Sequence, residues 1–185
     1  MSDSQLFTAA WTVFFRHVHR CGPESQWNNS KMNANWFFPG SINRQQLLDY
    51  VFQTQPEAGP FLSISAFNDW FSCLPQRRLP MSSRYKDPYR GMLPDTGEIK
   101  FTHGDLHWGN IIVSSAAPAR ILAIVDWAQA GWYPDYWEYC KALYTCWYED
   151  EWRREWIDKF LCPRMQEFGV FAEYTMAIGS VWIKQ

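Results

Sequence analysis

The chain has 185 residues, the usual size of one domain or of two very small ones. Its 17 Lys and Arg residues against 19 Asp and Glu residues give a net charge of −2, which argues against a nucleic-acid partner bound through a basic surface. A hydrophobic fraction of 47% excludes a mostly disordered chain, and no apolar run approaches the roughly 20 residues of a membrane-spanning helix, so no membrane partner is expected either.

The first part of the chain is predicted to hold two helices separated by a loop. Apolar residues at spacings of three and four favour a helix over residues 5–20. Residues 21–40 combine Gly, Pro and Asn with several large aromatic rings, and we expect a surface loop that tucks its rings inward. A further helix is predicted over residues 44–53, with Ser41 or Asn43 as its cap.

The middle of the chain is predicted to hold a helix, a long connection and a strand. Ser63 or Ser65 is expected to cap a helix whose apolar residues recur with helical spacing as far as Leu74. Residues 75–97 contain four Pro and several charges, and we expect an exposed irregular connection of unusual length. Residues 99–101 indicate a short strand.

A small hairpin and a helical C-terminal part complete the predicted fold. Two β-branched runs, residues 110–113 and 121–125, predict an antiparallel hairpin. After Gly131 the chain is predicted to be helical to its end, over residues 134–149, 151–161, 163–168 and 171–183. The sequence therefore predicts a mainly helical α+β fold with a small β-hairpin.

The strongest functional signal is a polar loop after the strand at residues 99–101. It reads His103-Gly104-Asp105-Leu106-His107-Trp108-Gly109-Asn110, and a second carboxylate, Asp126, ends the apolar strand that closes the hairpin. Carboxylate and amide oxygens that converge suit Mg²⁺, and a further carboxylate can accept a proton from an alcohol. Phosphoryl transfer requires these groups.

The spacing of Asp105 and Asn110 equals that of the protein-kinase loop H-R-D-x-x-x-x-N, and Asp126 has the place of the D-F-G aspartate. At these residues the sequence resembles the aminoglycoside phosphotransferase and choline kinase-like family, whose loop reads H-G-D-x-H-x-x-N. The segment from Gly131 to Ala142 and the ending Phe171-Ala172-Glu173-Tyr174 resemble the fungal branch of that family.

This resemblance implies a protein-kinase-like fold of which the chain carries the C-terminal lobe. Residues 40–185 would form that lobe, with the hairpin at the catalytic loop, and residues 1–39 would be an atypical N-terminal helix and loop segment. The resemblance also implies ATP as phosphate donor, Mg²⁺ as cofactor and a hydroxyl group of a small molecule as acceptor.

The resemblance assigns a role to each polar residue that carries the motif. Asp105 would be the catalytic base, and Asn110 and Asp126 would hold Mg²⁺. Trp108 stands where many relatives have Pro, which would alter the shape of the loop. The three oxygen-bearing side chains are nevertheless all in place.

Other residues of the motif would support the loop. His103 and Gly104 are expected to be structural rather than catalytic. For His107 two roles are left open, contact with substrate or phosphate, and packing within the loop.

Acceptor recognition is predicted from acids and aromatic rings, because members of the family that act on amines line their sites with them. Trp132, Asp135 and Glu138 are the candidates, with the ring as a cation–π partner. Glu138 has the alternative role of a hydrogen-bonding anchor for the helix that follows the metal loop. The acidic run at residues 149–151 is expected to form ordinary ion pairs at a solvated helix junction.

The phosphate-binding half of a kinase is not recognisable in the sequence. None of the ten Gly residues forms a G-x-G-x-x-G pattern, and no Lys follows an apolar β-branched strand near the N-terminus. Three interpretations follow: a weak or partner-completed phosphotransferase, a catalytically impaired pseudokinase-like binding or accessory protein, or a truncated form of a longer enzyme. We expect the cleft that such a lobe would cover to be closed by a partner chain, by self-association or by residues 1–39.

Cysteine usage and the N-terminal residues predict the compartment. The five Cys residues are odd in number and form no C-x-x-C pair, so we expect reduced thiols and neither a zinc site nor a disulfide framework. The first residues lack the basic and apolar regions of a signal peptide. Both observations predict a cytoplasmic protein.

Overall fold

A computed structural model describes residues 39–41, 45–55, 58–116 and 118–180 of the chain. The predicted helix over residues 5–20 and nearly all of the predicted loop over residues 21–40 lie outside the described residues. Within them the fold is α+β, as predicted, with two small antiparallel sheets and several helices.

The larger sheet has three short strands, of which the last in sequence is central. Strand β1 is Gly40–Ser41, β2 is Ile99–Thr102 and β5 is Gly131–Pro134, in the order β1-β5-β2. Gly131 faces Ser41 on one side and Thr102 on the other. A Cβ atom on Gly131 would lie 2.8 Å from the carbonyl oxygen of Gly40, so only glycine allows this close approach.

The smaller sheet is the hairpin that the sequence predicted. Strand β3 is Ile111–Val113 and β4 is Ile121–Ile124, paired antiparallel with Ile111 opposite Ile124. The strand predicted at residues 99–101 is also confirmed, as β2.

Helix α1, Ile64–Cys73, begins where the sequence placed it. The Ser63 hydroxyl accepts a hydrogen bond from the backbone N–H of Ala66 at 3.0 Å, which caps the helix. The long connection that follows contains only short 3₁₀ turns, as its composition predicted.

Three further helices follow the larger sheet. Helix α2 is Trp137–Tyr144, α3 is Ile157–Phe160 after a π-helical turn at Trp152–Trp156, and α4 is Met165–Ala177.

Three predictions of secondary structure are wrong in the described part. The helix predicted over residues 44–53 is reduced to a 3₁₀ turn at Tyr50–Phe52, because the Asp49 side chain accepts from the Val51 N–H and starts the turn there. The helix predicted to start at Pro134 begins at Trp137, because Gly131–Pro134 pairs as a strand. The helices predicted over 163–168 and 171–183 are one helix, α4.

The main core is a cluster of aromatic rings between α1, β5, α2 and α4. Trp137 is fully buried, and its ring stacks on Tyr133 at 5.4 Å between centroids with an interplanar angle of 6°. The rings of Phe67, Phe71 and Phe171 contact the same indole edge-on, as aromatic pairs prefer. This core fixes α2 beneath the larger sheet.

The cysteines and the helices bear on the predicted compartment. Cys73, Cys140 and Cys146 are free thiols, as expected, but Cys162 is disulfide-bonded, so the prediction of reduced thiols throughout is wrong. None of the helices in the described ranges combines the length and apolarity that crossing a bilayer requires.

Candidate functional site

The buried side chain of Glu138 forms hydrogen bonds with the backbone of the loop that begins at His103. One carboxylate oxygen accepts from the backbone N–H of His103 at 2.5 Å and the other from the N–H of Gly104 at 3.2 Å. Burial raises the pKa of Glu138 to about 7, against the two N–H donors, which lower it. Helix α2 thus positions the loop through a single carboxyl group.

Gly104 makes the turn that lets the loop pass close to the segment before β5. Its φ angle is 79°, and a Cβ atom there would lie 3.0 Å from the carbonyl oxygen of Gln129. A left-handed backbone without room for a side chain requires glycine.

The imidazole of His103 joins the loop to the end of the hairpin. Its Nδ1 accepts from the backbone N–H of Asp105 at 3.2 Å, and its Nε2 lies 2.9 Å from the carbonyl oxygen of Val125. Burial lowers the pKa of His103, which favours the neutral ring. A neutral ring satisfies both partners only when the proton is on Nε2, so Nε2 donates to Val125.

Asn110 makes a second connection between the same segments. Its side-chain N–H donates to the backbone oxygen of Asp105 at 2.9 Å, and its own backbone oxygen accepts from the N–H of Val125 at 2.9 Å. Asp105, Asn110 and the residue before Asp126 are therefore linked by direct hydrogen bonds or through the ring of His103.

Asp126 follows Val125 in a left-handed backbone conformation. Its φ angle is 62°, which is uncommon for a residue other than glycine, and its side chain is exposed. The turn directs the chain away from β4 at the point where the loop and the hairpin meet.

Asn110 and Asp126 are the two residues that the sequence predicts to hold Mg²⁺. The amide of Asn110 uses its nitrogen toward Asp105, and its oxygen accepts no hydrogen bond from the described residues. Amide and carboxylate oxygens are hard donors that suit Mg²⁺. The described residues contain no group of three His, Cys, Asp or Glu side chains placed to hold a metal, so any such site depends on the amide and on ligand oxygens.

Asp105 presents a carboxylate whose hydrogen bonding is incomplete. Its Oδ1 atom is buried and has no hydrogen-bond partner within the described structure, whereas Oδ2 lies 3.9 Å from Nε2 of His107. The other ring nitrogen of His107 accepts from the N–H of Gly109 at 3.1 Å and caps the turn that leads to Asn110. A buried oxygen without a partner in the protein is open to a hydrogen bond from a water molecule or a ligand.

A cavity of about 440 Å³ lies beside Asp105. The segment around Tyr50, the end of α2 and the turn after α4 contribute to its walls. The described lining residues are Tyr50, Val51, Gln53, Thr54, Asp105, Gln129, Lys141, Tyr144, Thr145, Gly179 and Ser180. A volume of this size accommodates a small molecule.

One of the lining residues, Lys141, belongs to a buried ion pair. Nζ of Lys141 lies 2.8 Å from Oδ1 of Asp49, and the two side chains are 2% and 0% exposed. Lys141 also donates to the side-chain oxygen of Gln129 at 3.1 Å, and the indole N–H of Trp137 donates to the second oxygen of Asp49 at 2.9 Å. These bonds attach the segment before the Tyr50–Phe52 turn to α2.

The residues predicted to bind the acceptor lie apart from this cavity. Trp132 is on β5 and packs against Phe101 at 5.3 Å, whereas the carboxylate of Asp135 accepts from Arg164 at 2.6 Å. Glu138 lies under the loop with both oxygens occupied. None of the three is among the described lining residues.

Sequence reasoning missed the cavity walls, above all Lys141 and Gln129. One signal was available: Glu138 and Lys141 stand three residues apart in a segment that is otherwise aromatic or apolar, and both are buried. A buried charge is costly without a partner. The pattern therefore indicates that both side chains bond to polar groups elsewhere in the fold.

Comparison with known proteins gives one match. Residues 65–173, more than half of the chain, match the model of a family described as the phosphotransferase enzyme family. The matched residues include the loop from His103 to Asn110, together with Asp126 and α2. No curated protein and no solved structure matches the chain.

Proposed function

The chain belongs to the phosphotransferase enzyme family, and from this premise we propose that it transfers the γ-phosphate of ATP to a hydroxyl group of a small molecule. The observation that carries the proposal is the buried, unpartnered oxygen of Asp105 at the wall of a cavity. Leaving such an oxygen unsatisfied costs about 1–3 kcal/mol, and an acceptor hydroxyl that donates to it would remove that cost.

Asp105 would act as the base of the reaction. The acceptor hydroxyl oxygen forms a bond to the γ-phosphorus, the bond from that phosphorus to the β–γ bridging oxygen breaks, and ADP leaves. The hydroxyl proton passes to the carboxylate of Asp105. Asn110 and Asp126 would hold Mg²⁺, which supplies neutralisation of phosphate charge when it is bound.

Residues 40–185 are assigned in this proposal to a kinase-like C-terminal lobe. The family match at residues 65–173 falls within those bounds and supports the assignment. The hydrogen bonds of Glu138 and His103 support a positioning role for both, because they fix the backbone of the loop that carries Asp105.

The alternative is a pseudokinase-like binding or accessory protein. The sequence lacks a G-x-G-x-x-G pattern, and the buried Lys141 is engaged by Asp49. Electrostatic stabilisation of the transferred phosphoryl group is a large part of catalysis, and removing one stabiliser costs on the order of 10²–10³ in rate. A protein without that stabilisation would keep the cleft for binding.

The direct test is transfer of labelled phosphate from ATP to a panel of hydroxylated small molecules in the presence of Mg²⁺. Transfer by the wild-type chain is expected to fall by about 10²–10⁴ in Asp105→Asn, which loses the base. Glu173→Gln, an exposed carboxylate outside the site, serves as the matched control and should leave transfer unchanged. Transfer that survives in Asp105→Asn would contradict the role of this residue.

A binding measurement separates the enzyme from the alternative. Both interpretations expect Mg·ATP to bind, and both expect Asp126→Asn to weaken it. Only the enzyme interpretation expects labelled phosphate to appear on an acceptor. Binding without transfer to any acceptor, with and without added partner chains, would favour the binding protein.

A further inference from the structure

Residues 77–86, which we call the basic loop, belong to the connection between α1 and β2, and every one of them is exposed. They include four cations and no Asp or Glu, and the cations are Arg77, Arg78, Arg84 and Lys86. None of the ion pairs found in the described part of the chain involves any of the four. The basic loop therefore presents four positive charges that the described residues do not neutralise.

Large apolar side chains stand between these cations. Met81 is 77% exposed, Tyr85 is 59% exposed and Leu79 is 37% exposed. Apolar surface that is held in water gains free energy when a partner covers it. The basic loop thus combines unpaired cations with exposed apolar groups, the composition of segments that lie at a lipid–water interface.

Hydrogen bonds within and next to the basic loop fix its conformation. The Arg84 guanidinium donates to the carbonyl oxygens of Leu79 at 3.3 Å and of Arg77 at 3.4 Å. The backbone N–H of Tyr85 donates to the side-chain oxygen of Gln76 at 2.8 Å. These bonds satisfy backbone groups that would lose water at an apolar interface, and a preformed loop loses less conformational freedom on binding.

The charge on the rest of the chain orients the basic loop toward an anionic surface. Outside the loop there are 13 Lys and Arg residues against 19 Asp and Glu residues, a net charge of −6. The first acid after the loop, Asp87, uses one oxygen to accept from the N–H groups of Tyr89 and Arg90. A flat anionic surface would attract the molecule at the basic loop and repel it elsewhere.

Two other anionic partners fit these observations less well. A nucleic acid without a specific site is bound by cations that follow its backbone along a groove, whereas the basic loop is short and exposed throughout. A peptide is held in a groove or at a free sheet edge, and ten consecutive exposed residues without strand pairing supply neither. A lipid bilayer is the anionic partner that also offers an apolar phase to the exposed side chains.

We propose that the basic loop binds the surface of an anionic membrane. The four cations would contact the lipid headgroups, Met81 and Leu79 would enter the boundary with the acyl chains, and Tyr85 would lie at headgroup level. The expectation of no membrane partner rests on the lack of a spanning apolar run, and a surface contact does not require one. Anionic lipids face the cytoplasm, which is the compartment that the sequence predicts.

The test is co-sedimentation of the full chain with vesicles of two compositions, pure phosphatidylcholine and phosphatidylcholine mixed with phosphatidylserine. At low salt the apparent affinity for the anionic vesicles is expected to be at least about tenfold higher than for the neutral ones. High salt should reduce binding to the anionic vesicles by about tenfold, because it screens exposed charges.

Two variants with the same change in net charge locate the contact. Arg77→Glu combined with Arg78→Glu should weaken binding to anionic vesicles by about tenfold or more. Arg120→Glu combined with Arg154→Glu changes two exposed cations outside the basic loop and should leave the affinity within about twofold of the wild type. Met81→Gln, which keeps the charge and removes an apolar side chain, should weaken binding by about threefold.

Three outcomes would overturn the proposal, and none depends on phosphotransferase activity. The first is no binding to anionic vesicles, or equal binding to both compositions. The second is an equal loss of binding in the two double variants, which would assign the effect to net charge and not to the basic loop. The third is tighter binding to polyglutamate or to a duplex oligonucleotide than to the vesicles, at equal concentration of negative charge. That result would assign the basic loop to an acidic protein or to a nucleic acid.

Discussion

Glu138 couples the stability of the protein to pH, and the sign follows from its raised pKa. In the folded state the pKa is about 7 because of burial, against an ordinary value of 4.5, so between these pH values the folded chain holds a proton that the unfolded chain releases. This contribution to stability is complete below pH 4.5 and is lost as pH rises toward 7. We expect Glu138→Gln to remove this part of the pH dependence.

Urea unfolding at several pH values between 4.5 and 8 measures this effect. The free energy of unfolding of the wild type relative to Glu138→Gln should decrease as pH rises through the window. Glu173→Gln, at an exposed position, should follow the wild type throughout. Parallel curves for the wild type and Glu138→Gln would contradict the raised pKa.

His103 makes a prediction that needs no substitution. Burial lowers its pKa, and its two ring contacts require the proton on Nε2. Nitrogen NMR of the imidazole should show an unprotonated Nδ1 at neutral pH and a titration below the ordinary value of 6.5. A ring that carries its proton on Nδ1, or that titrates above 6.5, would contradict the assigned hydrogen bonds.

At the scale of elements, the pair of Asp49 and Lys141 attaches the Tyr50–Phe52 turn to α2. Both side chains are buried, so Lys141→Met leaves an unpaired carboxylate and is expected to cost about 3–5 kcal/mol of unfolding free energy. Asp49→Asn combined with Lys141→Met should cost less than the sum of the single changes. Chemical denaturation of the three variants gives the coupling, and additive costs would contradict a direct pair.

Secondary-structure elements that depend on local sequence signals could be predicted. Elements that depend on contacts between residues distant in sequence could not. Helix α1 and the hairpin were readable because the cap at Ser63 and the β-branched runs act over a few residues. Strand β5 was not, because Pro134 suits a helix start and only pairing with β1 and β2 makes the segment a strand. Gly169 interrupted the helical pattern of α4, but it lies in open space and is tolerated there.

At the scale of the whole molecule, the motif could be predicted and the cavity could not. The loop from His103 to Asn110 is continuous in sequence, so its residue types indicate their chemistry directly. The cavity is lined by side chains as distant in sequence as Tyr50 and Ser180. No periodicity in the sequence indicates that these residues lie close together in the fold. The sequence placed the candidate acceptor residues near Asp135, next to the motif, and they are not among the described residues that line the cavity.

Several exposed apolar side chains lie on the hairpin or next to it, which bears on the predicted partner. Leu122 is 65% exposed, and Phe101 stacks on the exposed ring of Trp127 at 5.7 Å. Such patches favour association. If self-association uses this face, Leu122→Lys should weaken it, whereas Leu62→Lys, before α1, should not. Sedimentation velocity at increasing concentration measures both, and a wild type that stays monomeric throughout would contradict self-association.

At Asp126, the side chain that the proposed Mg²⁺ binding requires stands in a backbone conformation that favours glycine. A residue other than glycine at a φ angle of 62° is strained, and within the described residues the Asp126 side chain makes no hydrogen bond or ion pair that offsets that strain. Asp126→Gly should therefore raise the free energy of unfolding by about 0.5–1 kcal/mol while abolishing Mg·ATP binding. Thermal unfolding and nucleotide titration of the same variant check both halves of this trade-off, and a variant less stable than the wild type would show that the aspartate also supports the fold.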